Sequence, residues 1–382
     1  MAGQQARAVL VVGLSARALA LAARRAGLAP YAIDLFADAD TRALAAAWRQ
    51  VPGDGAGGLD PEALVCAAAS LERAAHESGD VLAGLIYASG FEAAPEILGR
   101  LGERWPILGN PPEILAKLKN PRRFAAICRD AGIPHPAPHF AAAPDAGWLE
   151  KRIGGAGGGH IRATPAGTAP RPGHYLQRRL PGTPISALFV ANGREARLCF
   201  LSAQWPDPGP AAPFRYGGAV RPAAIPPQIA AEMEAAIRAL VRATGLVGLN
   251  SADFLLDRDA GDKGDGWALL EINPRPGATL DLAPRAALGW HLASLRGRLP
   301  RRLGLGLRAA AAAAIFYASR PIRVDGAFTW PAWTMDRPMP GAEIAAGAPL
   351  CSLRARGANP EAALASLAKR RQCLATRVEI AP

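Results

Sequence analysis

The chain has 382 residues, of which 50% are hydrophobic and 20% are charged, a composition typical of a folded protein with two or three domains. Its net charge of +12 could indicate an anionic partner, but no dense run of basic residues is interleaved with aromatic residues, so nucleic-acid binding is not expected. The five cysteines are odd in number and none has the CxxC spacing, which argues against a disulfide scaffold or a structural zinc site.

The N-terminal segment alternates strand-like and helix-like patterns. Residues 8–13 are a short apolar run ending in glycine, a helical pattern follows over residues 15–25, and a second apolar run covers residues 31–36. A third strand is predicted at residues 81–89. Strand, turn, helix and strand within about 30 residues predict a parallel sheet. Arg17 interrupts the apolar stretch, so a secretory signal peptide is not expected.

A change of structure is predicted at residues 107–112, because the sequence Asn-Pro-Pro stops regular elements. One helix should follow through Lys117, and a second should cover residues 122–131. Strands are then predicted at residues 148–153 and 174–182, and a glycine-rich loop follows the first of them.

A hairpin is predicted over residues 186–204, because Asn192-Gly193 is a strong hairpin signal. The proline- and glycine-rich residues 205–227 predict a loop, and residues 227–245 predict a long amphipathic helix. Next come two strands joined by a polar turn, at residues 251–257 and 267–273. The tail from residue 301 has short strand patterns and a final helical pattern, which predict a small β-rich cap.

The strongest chemical signal is a pair of strands with polar side chains on one face. Glu271 and Asn273 share a face because side chains alternate along a strand, and antiparallel pairing can bring Asp253 opposite either of them. The apolar residues on both sides of Glu271 then face the core. Two carboxylates and an amide oxygen suit Mg²⁺. The nearby Arg275 suits a transferring phosphoryl group or a carboxylate.

A second signal is Lys151, near the end of a strand and just before a run of small residues at 154–159. Such a loop can fold over phosphates and offer backbone N–H groups, while the lysine supplies a point charge. The candidate phosphate contacts in the loop are Gly155, Gly157 and Gly158. The Walker A sequence is absent, and a flexible turn is the alternative interpretation.

A third signal is the extended stretch before the Pro-Gly turn at residues 181–182. Its backbone groups can bind the edge of an adenine, and a leucine there can pack on the ring. The candidate residues are Gln177, Arg178 and Leu180. An ordinary edge strand is the alternative.

In order and spacing these motifs resemble the ATP-grasp superfamily, which includes biotin carboxylase, D-alanine–D-alanine ligase and the carboxylate–amine ligases. The resemblance covers residues 111–282 and is sharpest in the LEINPR sequence that ends at Arg275. It implies a mixed α/β fold with a parallel-sheet domain at residues 1–110, a two-lobed ATP-grasp domain at 111–300 and the β-rich cap at 301–382.

The resemblance also implies roles for single residues. One phosphate-binding lysine falls on Lys117 or Lys119, the second falls on Lys151, and the adenine falls on the stretch from Gln177 to Leu180. Arg275 matches the arginine that steadies an acyl phosphate, so Arg275 and Lys151 are the expected catalytic residues. The ligands implied for Mg²⁺, with Mn²⁺ as the alternative metal, are Asp253, Glu271 and Asn273.

Two positions depart from the family pattern, and both concern the nucleotide. Arg152 follows Lys151 where the family often has proline, and Gln177 stands where the family often has glutamate.

The activity implied is that of an ATP-dependent, ADP-forming ligase, which joins a small-molecule carboxylate to an amine through an acyl phosphate. The opening segment further resembles predicted ATP-grasp carboligases linked to one-carbon cofactor biosynthesis of the tetrahydromethanopterin or methanofuran type. Residues 213–222 would then contact the substrate, with Arg215 and Arg221 available for a carboxylate or phosphate. We expect a cytoplasmic protein without a membrane partner, and a homodimer is compatible with it.

Three alternatives remain open. The first is a carboxylase that phosphorylates bicarbonate, as biotin carboxylase or a purine-type carboxylase does. The second is a non-catalytic nucleotide-binding module. The third is a basic nucleic-acid-binding protein.

Overall fold

The structure is a computed structural model and describes residues 7–54, 57–210, 212–258, 266–301, 303 and 309–380. The N-terminal segment folds around a sheet in which β1 pairs in parallel with β2 and β6, so the predicted parallel sheet is confirmed. The strand order in this sheet is β3-β2-β1-β6. Its elements are β1 (Arg7–Val12), α1 (Arg17–Arg25), β2 (Ala29–Asp34), α2 (Ala39–Leu44), β3 (Ala47–Gln50), β4 (Gly53–Asp54), β5 (Gly58–Leu59), α3 (Pro61–Glu77), β6 (Val81–Tyr87) and α4 (Pro95–Gly102).

The next segment places two short helices before a small antiparallel sheet of order β7-β10-β8-β9. The helices separate at Asn120, whose side chain accepts hydrogen bonds from the first N–H groups of the second helix, while Pro121 occupies its first turn. The elements are α5 (Pro112–Lys119), α6 (Pro121–Asp130), β7 (Pro138–His139), β8 (Trp148–Arg152), β9 (Arg162–Thr164) and β10 (His174–Arg178).

A long antiparallel sheet follows. The hairpin β11–β12 turns at Asn192 as predicted, and α7 ends where Gly245 adopts a φ of +75°, a conformation that favours glycine. The prediction of a loop over residues 205–227 is wrong in part, because β13 forms inside it and pairs with β12. The elements are β11 (Thr183–Asn192), β12 (Ala196–Pro206), β13 (Tyr216–Arg221), α7 (Pro227–Thr244), β14 (Val247–Asp257) and β15 (Gly266–Asn273). The predicted polar turn between β14 and β15 lies mostly outside the described residues.

The C-terminal segment is rich in β-strands, as expected, and its strands β16, β18 and β20 extend the large sheet. Among the described residues that sheet has the order β15-β14-β11-β12-β13-β16-β20-β18, and β17 pairs separately with β19. The elements are a 3₁₀ helix (Ala278–Leu282), α8 (Ala287–Ser294), β16 (Ala310–Tyr317), β17 (Ile322–Arg323), β18 (Thr334–Met335), β19 (Glu343–Ile344), β20 (Pro349–Gly357) and α9 (Pro360–Ile380).

The two faces of the large sheet are covered by different elements. One face carries Phe189 and Phe254 and packs against α6 and α7. The other face carries Leu188 and Leu249 and packs against α1, α8 and the parallel sheet. The N-terminal segment is therefore fixed directly against the strands that carry the polar motifs. Within the described residues, no helix is long and apolar enough to cross a membrane.

Candidate functional site

The acidic strand pair lies on the face of the large sheet that looks toward the N-terminal segment. Asp253 in β14 stands directly opposite Glu271 in β15, and Ser251 stands opposite Asn273. The amide nitrogen of Asn273 donates a 3.0 Å hydrogen bond to Asp253 Oδ2. Antiparallel register thus brings the three predicted metal ligands together.

A β-bulge modifies one expectation about this strand. The register between β14 and β15 shifts after Asp253, so Phe254 pairs with Leu269 and Leu270 becomes the extra residue. The core therefore contains Leu269 and Ile272. Leu270, which was expected to face the core, is the extra residue of the bulge instead. The bulge leaves Glu271 and Asn273 on the polar face.

The carboxyl groups of Asp253 and Glu271 have opposite electrostatic surroundings. Burial, and then the neighbouring charge of Glu271, raises the pKa of Asp253. Burial also opposes ionisation of Glu271, but Lys119, Lys151 and Arg275 outweigh it and lower the pKa of Glu271. The Glu271 side chain keeps 39% exposure, so the pair lies in a cleft that is open to solvent.

Lys119, at the end of α5, contacts this cluster. Its Nζ donates a 2.7 Å hydrogen bond to Asn273 Oδ1 and lies 3.4 Å from Glu271 Oε2. Lys117 does not join the cluster, because its Nζ donates instead to the Ala243 carbonyl at 3.3 Å. The two lysines are two positions apart on one helix and so point in different directions. Of the two lysines that the resemblance left open, the structure brings Lys119 to the cluster and Lys117 to a different surface.

Lys151, in β8, is buried and hydrogen-bonded to Gln177, one of the candidate adenine-binding residues. Its Nζ donates a 2.8 Å hydrogen bond to Gln177 Oε1, and Gln177 Nε2 donates to the Pro136 carbonyl at 2.7 Å. Burial lowers the pKa of Lys151, while the charge of Glu271 acts in the opposite direction. An amide partner does not neutralise the ammonium group, so an anion placed here would find a desolvated positive charge.

The glycine loop is anchored at its tip and its base. The Tyr216 N–H donates a 3.0 Å hydrogen bond to the Gly157 carbonyl, and a Cβ at Gly158 would collide with the Phe214 carbonyl. At Gly155, a Cβ would collide with the ring of His160. Burial lowers the pKa of His160 to about 4, which keeps this imidazole neutral. Gly155 and Gly158 are thus required for close packing of the loop, whereas Gly157 has open space beside it but adopts a φ of +70°, which favours glycine.

The other two candidate adenine-binding residues, Arg178 and Leu180, differ in exposure. Leu180 is half-buried, whereas Arg178 is exposed and forms an ion pair with Asp145. The Arg178 guanidinium also lies 5.7 Å from the centre of the Trp148 ring. Arg178 is therefore held at the surface of the small sheet, while Gln177 is the buried member of this stretch.

Glu92, which the motifs did not predict, binds Arg275. Glu92 Oε1 accepts from Arg275 Nε and lies 2.7 Å from Nη2, and both side chains are buried. The available signal was its position, since a carboxylate soon after the end of the parallel strand β6 lies at the sheet edge where ligands bind. Arg275 therefore meets the N-terminal segment as well as the acidic pair.

Arg215 and Arg221, expected to face the substrate, are bonded to protein groups. Arg215 stacks on the Tyr317 ring at 3.6 Å and donates to the Gly347 carbonyl. Arg221 donates to the carbonyls of Leu282 and Ala309. In this structure neither contacts the acidic pair.

The donor set fits a hard divalent cation. Within the described residues no group of three or more His, Cys, Asp or Glu side chains could hold a metal, so any site here combines two carboxylates with an amide oxygen. Asp253 Oδ1 is buried and has no hydrogen-bond partner among the described residues. A buried acceptor without a donor is costly, and a cation would satisfy it.

Comparisons with known proteins agree with this architecture. Residues 120–279 match the family model described as ATP-grasp domain. The biotin carboxylase–beta-gamma-ATP complex from Campylobacter jejuni aligns with a TM-score of 0.69 at 12% identity, over 94% of this chain and 89% of that chain. Curated protein sequences give no significant match.

Two further solved structures have the same fold. The biotin carboxylase domain dimer of Hydrogenobacter thermophilus 2-oxoglutarate carboxylase, in complex with MgADP, ADP and bicarbonate, has a TM-score of 0.67 at 12% identity over 93% of this chain and 86% of that chain. N5-carboxyaminoimidazole ribonucleotide synthetase from Thermus thermophilus has a TM-score of 0.65 at 20% identity, over 96% of this chain and 98% of that chain. The predicted mixed α/β ATP-grasp fold is confirmed.

Proposed function

We propose that this chain, which carries an ATP-grasp domain over residues 120–279, is an ADP-forming ligase that activates a carboxylate with Mg²⁺-ATP. One observation carries the proposal. The acidic pair of Asp253 and Glu271 lies among three buried cationic side chains from separate segments, and one Asp253 oxygen has no hydrogen-bond partner in the described part of the chain. Carboxylates that hold a metal, surrounded by cations that bind phosphate, suit phosphoryl transfer. The cations are Lys119, Lys151 and Arg275.

The nucleotide would lie between the small sheet and the large sheet. Lys119 and Lys151 would bind its phosphates, the glycine loop would cover them, and the stretch from Gln177 to Leu180 would hold the adenine. The ligands for Mg²⁺, or for Mn²⁺ in its place, would be Asp253, Glu271 and Asn273. When bound, the metal would neutralise phosphate charge. The solved relatives with ATP or MgADP support this arrangement.

The chemistry requires positioning and charge neutralisation rather than a covalent nucleophile on the protein. A carboxylate oxygen of the substrate attacks the γ-phosphorus, the bond to the ADP oxygen breaks, and an acyl phosphate and ADP result. The amine then attacks the acyl carbon, phosphate leaves and the nitrogen loses a proton. Arg275 would hold the transferred group, because its guanidinium is fixed beside the acidic pair.

A second function has comparable support. Two of the solved relatives are carboxylases or carboxylase domains, and one of them is in complex with bicarbonate. In that case bicarbonate itself would be the carboxylate that is phosphorylated. The site residues would act in the same way, and only the small substrate would differ.

Finer features of the proposal rest on the sequence. The opening segment motivates a role in one-carbon cofactor biosynthesis, with a small-molecule carboxylate and amine as substrates in the cytoplasm. A homodimer is proposed because one solved relative is a dimer. The domain limits at residues 110 and 300 are also proposed.

The deciding experiment is an ADP-release assay with purified protein and Mg²⁺-ATP. Bicarbonate and a panel of carboxylate–amine pairs are tested separately, and the nucleotide product is identified by chromatography. Release of ADP that depends on a carboxylate–amine pair supports the ligase, and release that depends on bicarbonate supports the carboxylase. AMP and pyrophosphate as products would exclude the mechanism, and nucleotide binding without turnover would indicate a binding module.

A further inference from the structure

The carboxylate of Glu92 is held by donors on both of its oxygens. Oε2 accepts from the backbone N–H groups of Gly90 at 2.7 Å and Phe91 at 3.1 Å, and Oε1 accepts from Arg275 Nε at 2.7 Å. The Glu92 side chain is 3% exposed and that of Arg275 is 8% exposed. Burial alone would raise the pKa of Glu92, but Arg275 and then Lys119 lower it below its ordinary value.

This arrangement uses one edge of the Arg275 guanidinium and leaves the other edge almost free. Nε and Nη2 contact Glu92, whereas Nη1 has a single long hydrogen bond among the described residues, 3.4 Å to the neighbouring Pro276 carbonyl. A Cβ at Gly277 would lie 3.4 Å from Nη1, in van der Waals contact with this edge, and the glycine leaves that position without a side chain. A guanidinium with one edge fixed can present the other to an anion in a set orientation.

The loop that carries Glu92 also contacts the glycine loop. Gly154, the first glycine after β8, packs so closely on the backbone of Glu92 and Ala93 that a Cβ would collide with both. Gly154 has a φ of +71°, which also favours glycine. The first residue of the glycine loop therefore packs against the same short segment, residues 92–93, that holds Arg275 in place.

We propose that Glu92 is a positioning residue, through which the N-terminal segment orients Nη1 of Arg275 toward the acyl phosphate. The inference rests on the proposed function. The ligand proposed for the Nη1 edge of Arg275 is an anion that contains both a carboxyl-derived group and a phosphoryl group. Glu92 does not touch the reacting atoms and acts only through Arg275.

The isosteric substitution Glu92→Gln separates this role from general packing. A glutamine can present its oxygen either to Arg275 or to the backbone N–H groups of Gly90 and Phe91, and its NH₂ then faces donors on the other side. In either orientation the glutamine loses its hydrogen bonds either to Arg275 or to the two backbone N–H groups. Arg275 keeps its charge but loses its fixed plane.

The test measures binding by calorimetry, with phosphonoacetate as a stable carboxyl and phosphoryl probe in the presence of saturating MgADP. We expect Glu92→Gln to weaken phosphonoacetate binding about tenfold or more, while MgADP affinity changes by less than about threefold. Asp40→Asn is the matched control, because Asp40 forms a forked ion pair with Arg337 that also ties the N-terminal segment to another part of the chain. It should leave both affinities unchanged.

A double variant tests whether Glu92 acts through Arg275. If it does, Glu92→Gln combined with Arg275→Ala binds the probe no more weakly than Arg275→Ala alone. Additive losses would overturn the inference, as would wild-type probe affinity in Glu92→Gln. A wild-type protein that binds MgADP but not phosphonoacetate would overturn it too, since Nη1 would then face no anion. A wild-type protein that binds neither would instead refute the proposed function.

Discussion

Two lysines on one helix provide the sharpest test of the candidate site. Lys119 and Lys117 are two positions apart on α5, yet only Lys119 contacts the acidic pair. The side chain of Lys119 is 6% exposed, so an alanine would also create a cavity. Methionine keeps the apolar stem and removes the charge. The matched variants are therefore Lys119→Met and Lys117→Met.

The expected size of the effect follows from the contacts. A hydrogen bond to a charged group contributes about 1.5–3 kcal/mol, and about 1.4 kcal/mol is a tenfold change in affinity. If Lys119 turns from Asn273 to a nucleotide phosphate, its removal should weaken MgADP binding about ten- to hundredfold. Lys117 bonds to the Ala243 carbonyl, and its substitution should change the affinity by less than about twofold.

Calorimetry measures the MgADP affinity of both variants. Thermal unfolding without nucleotide checks that each variant is folded. Equal losses in the two variants would show that the effect arises from the net charge of the surface. A larger loss in Lys117→Met, or none in Lys119→Met, would refute the placement of the nucleotide beside the acidic pair.

Further variants test other residues of the site and one buried histidine outside it. Lys151→Met should weaken MgADP binding by about tenfold or more, and an unchanged affinity in calorimetry would place the nucleotide elsewhere. In the ADP-release assay, Glu271→Gln should lower turnover about 10²–10³-fold, because it removes a ligand proposed for Mg²⁺. Arg275→Ala should lower turnover by a similar factor, with ATP affinity closer to wild type. Near-normal release in both variants would contradict the site. Burial lowers the pKa of His291 from 6.5 to about 4. The unfolded chain therefore binds more protons between these values, and stability should fall by up to about 3 kcal/mol as the pH drops from about 6.5 to about 4. Urea unfolding of wild type and His291→Gln checks this, and an equal acid loss in both would refute it.

The parts of the fold that local rules govern were predictable. Apolar runs separated by a helical pattern gave the parallel sheet, and side-chain alternation placed Glu271 and Asn273 on one face. The β-bulge at Leu270 was not predictable, because it depends on how β14 pairs with β15. Strand β13 was missed for a similar reason. Its glycines disfavour a strand locally, and its stability comes from pairing with β12 and β16.

The contact between Glu92 and Arg275 shows where sequence reasoning fails in the site itself. The two residues are 183 positions apart, and Glu92 belongs to no motif. A lone carboxylate in a loop is normally a solvated side chain. The position of Glu92 after β6 suggests a ligand-binding edge, but its burial and its pairing with Arg275 result from the packing of the parallel sheet against the large sheet.

The three buried cations of the site differ in how far the protein neutralises them. Arg275 is paired with the carboxylate of Glu92, and Lys119 lies near that of Glu271. Lys151 is hydrogen-bonded to an amide, so burial of its charge is the least compensated. A phosphate group would therefore gain most at Lys151, because it relieves a penalty that the folded chain already bears. Arg275 is already paired with Glu92 and gains less. Its Nη1 edge, which has a single long hydrogen bond among the described residues, is better suited to charge that develops during transfer.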